Sequence, residues 1–309
     1  MSGTKRLGWI GTGAMGGPMA ARLCKAGYPV TICGSGRRDL SGYAMETGAR
    51  LAHNPREVAE QADIIFTMIP NGEVLLDVIT GPDGLDKASL QEKIVVDMST
   101  VDPDSSARAA ERMEKNGGWL LRAPVTGSTH FAAAGTLGIM VSGDRQVFET
   151  CRPYLKVLGD RQTWLGDGEQ SRYMKIIINM MLAQALQSFS EGLVLGEKLG
   201  LPWETMIDLI GDSAAAAPIL RYKADTMKAR DFTPTSTGYN MHKDMRMAME
   251  LAKQVDANLP TASLTMQMYN SLIAMGLKQR DNTAILLVNE RMNQLLARQI
   301  KDKEVIQWT

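Results

Sequence analysis

The stretch Leu7-Gly8-Trp9-Ile10-Gly11-Thr12-Gly13-Ala14-Met15-Gly16 decides the fold, because a short apolar run leads directly into a G-x-G-x-x-G motif. The run predicts a strand over Leu7–Ile10, a helix follows at Pro18–Lys25, and a second strand follows at Val30–Cys33. This is the context in which the motif binds a dinucleotide, since its glycines permit a tight turn and a close approach of the backbone to the pyrophosphate. We therefore predict cofactor binding by Gly11, Thr12, Gly13, Ala14, Met15 and Gly16.

The end of the second predicted strand favours NADP(H) over NAD(H). An acidic residue there would accept hydrogen bonds from the ribose hydroxyls of NAD and would repel a 2′-phosphate. The chain instead reads Cys33-Gly34-Ser35-Gly36-Arg37-Arg38, and its first acid comes at Asp39. Ser35 and Arg37 are therefore predicted to bind the 2′-phosphate of NADP(H). The alternative is that the arginines are solvated surface residues, in which case NAD(H) remains a usable cofactor.

Composition limits the class of protein. The 309 residues are 44% hydrophobic and 22% charged, which is typical of a folded chain and excludes intrinsic disorder. The 34 Lys and Arg residues balance the 34 Asp and Glu residues, so no net field favours nucleic acid or a membrane as a partner. The three cysteines lack C-x-x-C spacing, which argues against disulfides and against a metal site. No apolar run reaches the roughly 18 residues of a membrane span and no signal peptide is recognisable, so we expect a cytoplasmic protein.

Hydrophobic patterning divides the chain into two predicted domains. In the first, short apolar runs predict strands at Leu7–Ile10, Val30–Cys33, Ile64–Ile69, Ile94–Asp97, Trp119–Leu121 and Leu137–Val141. Ile64–Ile69 is apolar at successive positions, which is typical of a strand buried on both faces of a parallel sheet. We assign a Rossmann-type, doubly wound α/β domain to residues 1–166.

The second predicted domain, residues 167–309, is all-helical. It starts with the proline-free run Ser171–Leu199, which predicts a long interdomain helix of about 29 residues. Further helices are predicted at Trp203–Ile210, Tyr222–Ala229, Met241–Val255, Ala262–Met275 and Ala284–Arg298.

The order of the motifs resembles the β-hydroxyacid dehydrogenase family over essentially the whole chain. The family includes 3-hydroxyisobutyrate dehydrogenase, tartronate semialdehyde reductase, and succinic and glyoxylic semialdehyde reductases. The resemblance implies a Rossmann domain, a long interdomain helix, and a helical domain through which a homodimer or homotetramer forms. The matching motifs are Gly8–Gly16, Met68-Ile69-Pro70, Asp97-Met98-Ser99-Thr100, Ala123-Pro124-Val125-Thr126-Gly127, Gly135-Thr136-Leu137, Lys175 with Asn179, and Lys243-Asp244.

Lys175 matches the catalytic lysine of that family. Its apolar context, Tyr173-Met174-Lys175-Ile176-Ile177-Ile178, would strip water from the ammonium and lower its pKa toward neutrality. Asn179 comes one helical turn later, on the same face. The resemblance implies that Lys175 donates a proton to the substrate carbonyl oxygen while NADPH delivers hydride, and that Asn179 orients the substrate or the lysine. The alternative is a lysine that extends from a buried helix to solvent.

The resemblance implies further site residues. Thr126, Gly127 and Ser128 stand where the family has Ser-Gly-Gly, which holds the substrate carboxylate and hydroxyl. The positions on the nicotinamide side of the cofactor are Ile69, Pro70, Val74, Thr100 and Lys243, although Lys243 could equally pair with Asp244 or Glu250.

Several residues depart from the family pattern. Arg122 stands where relatives carry Asp, and Phe131 where they carry Gly. Glu169 and Ser171 replace two glycines ahead of the long helix, and Ser128 replaces the second glycine of the carboxylate loop. We expect Phe131 to reshape the substrate pocket, and Arg122 either to bind an anion or to pair with a local acid.

These features predict an NADP(H)-preferring oxidoreductase that interconverts a small β-hydroxy acid, or a short carboxylated alcohol, and its semialdehyde. One alternative is an imine reductase of the same architecture, which Lys175 disfavours because those relatives usually lack this lysine. Another is a non-catalytic dinucleotide-binding scaffold, in which the lysine is lost.

Overall fold

The computed structural model describes residues 5–36 and 39–295, and the chain divides into two compact units, Met1–Lys175 and Ile176–Thr309. The division falls inside one continuous helix, Gln170–Lys198. The domain boundary near residue 166 remains a prediction.

The first unit is built on a six-stranded parallel sheet with the order β3-β2-β1-β4-β5-β6. Strand order runs outward from β1 on both sides, which is the doubly wound topology of dinucleotide-binding domains. The predicted Rossmann-type fold is therefore confirmed. The strands are β1 Leu7–Ile10, β2 Val30–Cys33, β3 Arg50–Leu51, β4 Ile64–Thr67, β5 Ile94–Asp97 and β6 Trp119–Arg122.

The central strands are apolar at successive positions because both faces of the sheet are covered. Leu7 and Trp9 of β1 pack into one apolar cluster, and Ile10 packs into a second cluster on the opposite face. Trp9 stacks on Phe66 of β4 with ring centroids 5.5 Å apart. Alternate residues of one strand thus serve two cores, as expected for a sheet between helical layers.

The helices of the first unit connect these strands, and several begin at a side-chain cap. Asn54, Asn71 and Asp102 each accept a hydrogen bond from the backbone N–H three residues later.

A small second sheet contains β7 Val125–Thr126, β8 Gly138–Val141 and β9 Arg161–Trp164. The helices are α1 Gly16–Lys25, α2 Ser41–Thr47, α3 Pro55–Gln61, α4 Gly72–Thr80, α5 Pro103–Lys115, α6 Thr129–Ala134 and α7 Arg145–Leu158.

The second unit is helical, as predicted. The long helix α8, Gln170–Lys198, starts in the first unit and continues into this one. It is followed by α9 Trp203–Asp212, α10 Pro218–Lys228, α11 Gly238–Gln254, α12 Pro260–Ala274 and α13 Ile285–Met292. Within residues 5–36 and 39–295, no helix has both the length and the apolar character needed to cross a membrane.

The last predicted helix, Ala284–Arg298, is too long. It ends at Met292, because Gln294 adopts a left-handed backbone with φ of 55° that cannot continue an α-helix. Residues 296–298 lie outside the described residues. The helix predicted at Tyr222–Ala229 begins earlier, at Pro218, whose fixed φ suits the first helical position.

Candidate active site

The glycine loop after β1 has the geometry of a pyrophosphate cradle. Gly11 has φ of +96°, and a Cβ atom there would lie 2.2 Å from the carbonyl oxygen of Met68. A Cβ at Gly16 would lie 2.0 Å from the carbonyl oxygen of Gly11, so both positions require glycine. A Cβ at the exposed Gly13 would meet no atom within 4 Å. The open space at Gly13 fits the close approach of a dinucleotide to this backbone.

No side chain caps the start of α1, and one of its first backbone N–H groups, that of Gly17, donates to the carbonyl oxygen of Gly13 at 2.9 Å. Met15 is the N-cap residue and makes no side-chain capping bond. Trp9 Nε1 donates a hydrogen bond to the carbonyl oxygen of Gly11 at 2.9 Å and so holds the turn onto the sheet. Thr12 is half-buried and Ala14 is exposed in the same loop. The six predicted residues of this motif therefore form one continuous loop and helix start.

The residues after β2 are consistent with a site that lacks a ribose-binding acid. Ser35 is exposed, and Arg37 lies outside the described residues. Asp39, the first acid, accepts hydrogen bonds from the hydroxyl and the N–H of Ser41, which lower the pKa of its carboxyl. Burial, with a smaller contribution from the charge of Glu57, raises the pKa of the Cys33 thiol to about 11, so this thiol is protonated at neutral pH.

The loops after β4 and β5 bring several predicted cofactor residues to one edge of the sheet. Ile69 N–H donates to Ser99 Oγ at 2.9 Å, which joins the two loops. Thr100 is the next residue after Ser99, and it is half-buried. Pro70 is exposed between β4 and α4, and Val74 is half-buried in the first turn of α4. These residues follow the carboxyl ends of adjacent parallel strands, where ligands bind in open α/β sheets.

The predicted substrate loop, Thr126-Gly127-Ser128, connects β7 to α6. Gly127 has φ of +125°, and a Cβ there would lie 3.0 Å from the Cβ of Phe131. Ser128 occupies the N-cap position of α6, but its side chain makes no capping bond. The ring of Phe131 remains 39% exposed, so this departure from the family pattern places an apolar group beside the loop.

The long helix carries the two predicted catalytic residues one turn apart. Lys175 is half-buried, whereas Asn179 is only 7% exposed. Asn179 Nδ2 donates to Asp244 Oδ2 of α11 at 2.5 Å. The orientation of the Asn179 amide is therefore fixed by a partner within the second unit.

Asp244 is a functional residue whose contact with Asn179 could not be predicted from the sequence. Its other oxygen, Oδ1, lies 3.2 Å from Lys243 Nζ, so this buried carboxylate contacts two predicted site residues at once. The sequence signal was the adjacent Lys243-Asp244 pair, but nothing in the sequence showed that Asn179 also faces this acid. His242, the residue before Lys243, has a structural partner as well, since its Nε2 lies 2.9 Å from Asn270 Oδ1.

Three of the departures from the family pattern contact one another. Arg122 forms an ion pair with Glu169 in which Nη2 lies 2.5 Å from Oε1, and both side chains are 9% exposed. Ser171 Oγ lies 2.7 Å from Ser142 Oγ and also donates to the carbonyl oxygen of Arg122. Of the two alternatives for Arg122, the structure therefore favours pairing with a local acid. These contacts tie the segment before α8 and the first turn of α8 to β6 and to Ser142.

The remaining titratable groups do not gather into a metal-binding cluster in the part of the chain that the structure describes. His53 is exposed next to the N-cap residue Asn54, and His130 packs edge-on against Phe131 with ring centroids 6.0 Å apart.

Comparisons with known proteins agree with this geometry. Residues 6–166 match the family described as the NAD binding domain of 6-phosphogluconate dehydrogenase. Residues 169–288 match the family described as NAD-binding of NADP-dependent 3-hydroxyisobutyrate dehydrogenase.

Individual relatives cover nearly the whole chain. A 2-(hydroxymethyl)glutarate dehydrogenase from Eubacterium barkeri is 35% identical over 93% of this chain and 95% of its own length. A 2-hydroxy-3-oxopropionate reductase from Escherichia coli is 33% identical over 93% of this chain and 98% of its own. The solved structure of a 3-hydroxyisobutyrate dehydrogenase from Mycobacterium tuberculosis with L-serine superimposes with a TM-score of 0.82 at 27% identity, covering 92% of this chain and 98% of that one.

Proposed function

The chain belongs to the β-hydroxyacid dehydrogenase family of NAD(P)-dependent oxidoreductases, and from this premise we propose an NADP(H)-preferring enzyme in which Lys175 is the general acid and base. It interconverts a small β-hydroxy acid, or a short carboxylated alcohol, and its semialdehyde. The observation that carries the proposal is the half-buried Lys175, one helical turn before the fixed amide of Asn179.

The cofactor is held mainly by backbone. The loop from Gly11 to Gly16 binds the pyrophosphate through N–H groups at the start of α1, and the open space at Gly13 supports this assignment. When bound, the nicotinamide supplies the hydride in reduction and accepts it in oxidation. Ile69, Pro70, Val74 and Thr100 line the nicotinamide side. A cofactor contact by Lys243 stays a prediction.

The preference for NADP(H) rests on the residues after β2. Ser35 and Arg37 bind the 2′-phosphate, with the guanidinium as the charged partner. Asp39, the first acid in the sequence after β2, accepts hydrogen bonds from Ser41. The exposed Ser35 stands where NAD-specific sites carry a carboxylate.

Lys175 moves the proton of the reaction. In reduction, Nζ donates a proton to the carbonyl oxygen of the aldehyde as that oxygen gains negative charge. In oxidation, the neutral amine removes the hydroxyl proton of the alcohol. Partial burial favours this exchange because it reduces the hydration of the ammonium. Asn179 orients the substrate or the lysine, and Asp244 keeps its amide in place.

The substrate is a small carboxylate held by Thr126, Gly127 and Ser128. The loop offers two hydroxyl groups and backbone N–H groups, which are donors suited to a carboxylate. The side chain of Ser128 makes no capping bond in α6, so its hydroxyl is available to this substrate. The names of the two curated relatives each denote a carboxylic acid as the compound acted upon.

The enzyme is a homo-oligomer in which the long helix forms part of the interface, as a dimer or a tetramer. Apolar side chains of α8 are exposed at intervals of about one turn, which is unusual for a helix face that meets only water. They include Ile177, 45% exposed, and Met181, 59% exposed. Light scattering after size-exclusion chromatography measures the stoichiometry.

A substrate panel tests the proposed function. The purified protein is incubated with NADPH or NADH and with carboxylated aldehydes, keto acids or cyclic imines, and cofactor oxidation is followed at its absorbance band. We expect turnover of carboxylated aldehydes, with NADPH preferred. Turnover of imines alone would instead identify an imine reductase. Tight NADPH binding without any turnover would identify a non-catalytic scaffold.

A further inference from the structure

Arg172 is a buried arginine in the first turn of α8. Its side chain is 1% exposed, and its guanidinium forms an ion pair with Asp97 at the end of β5, with Nη2 2.5 Å from Oδ2. Nη1 donates to the carbonyl oxygen of Ser99 at 2.7 Å, and Nε donates to Ser106 Oγ at 3.2 Å. All three nitrogens of the guanidinium are therefore engaged, and all of these partners belong to the first unit.

The acid that Arg172 contacts is itself the centre of a buried network. Asp97 is 0% exposed, and its Oδ1 accepts hydrogen bonds from Thr67 Oγ1 at 2.5 Å and from Ser99 Oγ at 2.6 Å. The same Ser99 oxygen accepts the N–H of Ile69. The network thus joins the loop after β4, which contains Ile69, to the loop after β5, which contains Thr100. Both residues are proposed to line the nicotinamide side of the cofactor.

Lys175 follows Arg172 by three positions on the same helix. Residues three apart on an α-helix lie on neighbouring positions of one face, and the rise between them is about 4.5 Å. Anchoring the guanidinium therefore limits both the rotation of α8 about its axis and its sliding along that axis at the turn that carries Lys175. A side chain that was merely buried and apolar would fix the helix less specifically, because apolar packing is not directional.

We propose that Arg172 is a positioning residue for the reaction: its ion pair with Asp97 and its bond to Ser99 set the place of Lys175 relative to the loops of Ile69 and Thr100. The inference rests on the proposed function, since it assumes that Lys175 transfers the proton. In this proposal Arg172 does not act on the substrate or the nicotinamide directly, and it acts through Lys175. A displacement of about 1 Å in a reacting group can cost about 10²-fold in rate, so the anchor has a measurable kinetic effect.

The other contacts at the start of α8 do not replace this anchor. Arg122 with Glu169 and Ser142 with Ser171 hold the residues just before and at the beginning of the helix. They tie α8 to β6 and to the segment after β8, whereas Arg172 ties it to β5 and the loop after it. If Arg172 is removed, these contacts still attach α8 to the first unit, but the position of α8 relative to the loop of Ser99 is no longer fixed.

The test is the variant Arg172→Gln, with Arg172→Lys as a milder change that keeps the charge but not the fork of donors. For Arg172→Gln we expect kcat per folded molecule to fall by about tenfold or more while the Kd of NADPH changes by less than about threefold. The kcat of Arg172→Lys should lie between those of wild type and Arg172→Gln. The matched control is Arg230→Gln, which removes a comparably buried arginine from its ion pair with Glu290 in the second unit and should lower stability without lowering kcat.

Lys175→Ala supplies the decisive background. If Arg172 acts through Lys175, adding Arg172→Gln to Lys175→Ala should change the residual kcat by less than about twofold, because the group being positioned is already absent. If Arg172→Gln lowers kcat equally in wild type and in Lys175→Ala, Arg172 does not act through Lys175. A normal kcat in both Arg172→Gln and Arg172→Lys would also overturn the positioning role, and either result would leave the proposed function standing. A near-normal kcat in Lys175→Ala itself would instead overturn the proposed function.

Discussion

The two units fix the relative positions of their elements by different means. In the first unit, backbone hydrogen bonds between strands set the register, as between Gly8 and Thr31. Helices satisfy their own backbone groups, so the second unit relies on side chains to fix one helix against another. Two buried ion pairs each hold one helix to a segment distant in the chain: Lys223 of α10 pairs with Asp281, and Glu290 of α13 pairs with Arg230. The difference teaches that a strand ladder sets the register inside the sheet of the first unit, whereas elements without a ladder are held by buried ion pairs, both in the second unit and where α8 meets the sheet through Arg172 and Asp97.

The strongest test of this contrast is Lys223→Met. Asp281 is 0% exposed and also accepts hydrogen bonds from Thr235 and Thr283. Removing the ammonium leaves that carboxylate buried with its negative charge unpaired, so we expect the free energy of unfolding to fall by about 3–5 kcal/mol. Urea unfolding followed by circular dichroism measures this change. Lys223→Met combined with Asp281→Asn should recover part of it, and no loss in the single variant would refute the structural role of the pair.

The same pair determines how the loss depends on pH. Burial alone would raise the pKa of Asp281, but the charge of Lys223 and the hydrogen bonds to the carboxylate lower it overall, below the ordinary value of 3.8. A carboxyl with a lowered folded pKa stabilises the protein above its ordinary pKa, and this contribution is lost as the pH falls through the folded pKa. In wild type this contribution should therefore persist from neutral pH down to about pH 4, and the difference in unfolding free energy between wild type and Lys223→Met should shrink below about pH 4.

The helix shared by the two units provides the next test. Lys175→Ala should lower kcat by at least about 10²-fold, because the general acid and base is lost, while NADPH affinity changes little. Steady-state kinetics and cofactor titration measure the two effects separately. Lys198→Ala is the matched control, since it removes an exposed lysine from the last turn of the same helix. Equal activity of the two variants would show that Lys175 has no special role.

The backbone character of the first unit is tested at Gly13. Alanine there meets no protein atom within 4 Å, so the fold should be retained, but the methyl group would occupy the space assigned to the pyrophosphate. We expect the Kd of NADPH to rise by about tenfold, or ~1.4 kcal/mol. Gly42→Ala in α2, where the added carbon is equally unhindered, should leave Kd unchanged and raise stability by up to about 1 kcal/mol. Isothermal titration of both variants distinguishes a cofactor site from a general effect of added side chains.

The sequence predicted the elements of the first unit best where apolar runs are sharply bounded. The strands at residues 7–10, 30–33 and 94–97 have the predicted ends. Strand β9, Arg161–Trp164, was missed because its side chains are only half-buried and form no apolar run. Helix α7 was also missed, although it spans Arg145–Leu158, since Pro153 interrupts its pattern in the sequence.

The glycine loop could be predicted for the same local reason, since its residues are contiguous. The polar network around the proposed site could not. Arg172 and Asp97 are 75 positions apart, and Asn179 and Asp244 are 65 apart. The sequence spacing does not identify the partner of Arg172 or of Asn179. Each partner lies on an element distant in the chain, which meets α8 only after the chain has folded. The sequence could therefore suggest Lys175 by its context and by the family, but it could not identify the groups that hold the helix around it.

The remaining expected effect concerns the segment after β2, where the proposed cofactor contacts are made by side chains and not by the backbone. Asp in place of Ser35, combined with Arg37→Ser, should lower the NADP to NAD ratio of kcat/KM by about tenfold, because the new carboxylate repels the 2′-phosphate and accepts hydrogen bonds from the ribose hydroxyls. Arg50→Ser, which removes an exposed arginine from neighbouring β3, is the charge-matched control for the loss of Arg37. If the NADP to NAD ratio of kcat/KM is unchanged in the double variant, the 2′-phosphate binds elsewhere. If Arg50→Ser shifts this ratio equally, the preference for NADP comes from the general positive charge near β2 and β3. A shift confined to the double variant would show that cofactor choice depends on side chains within a site otherwise built from backbone.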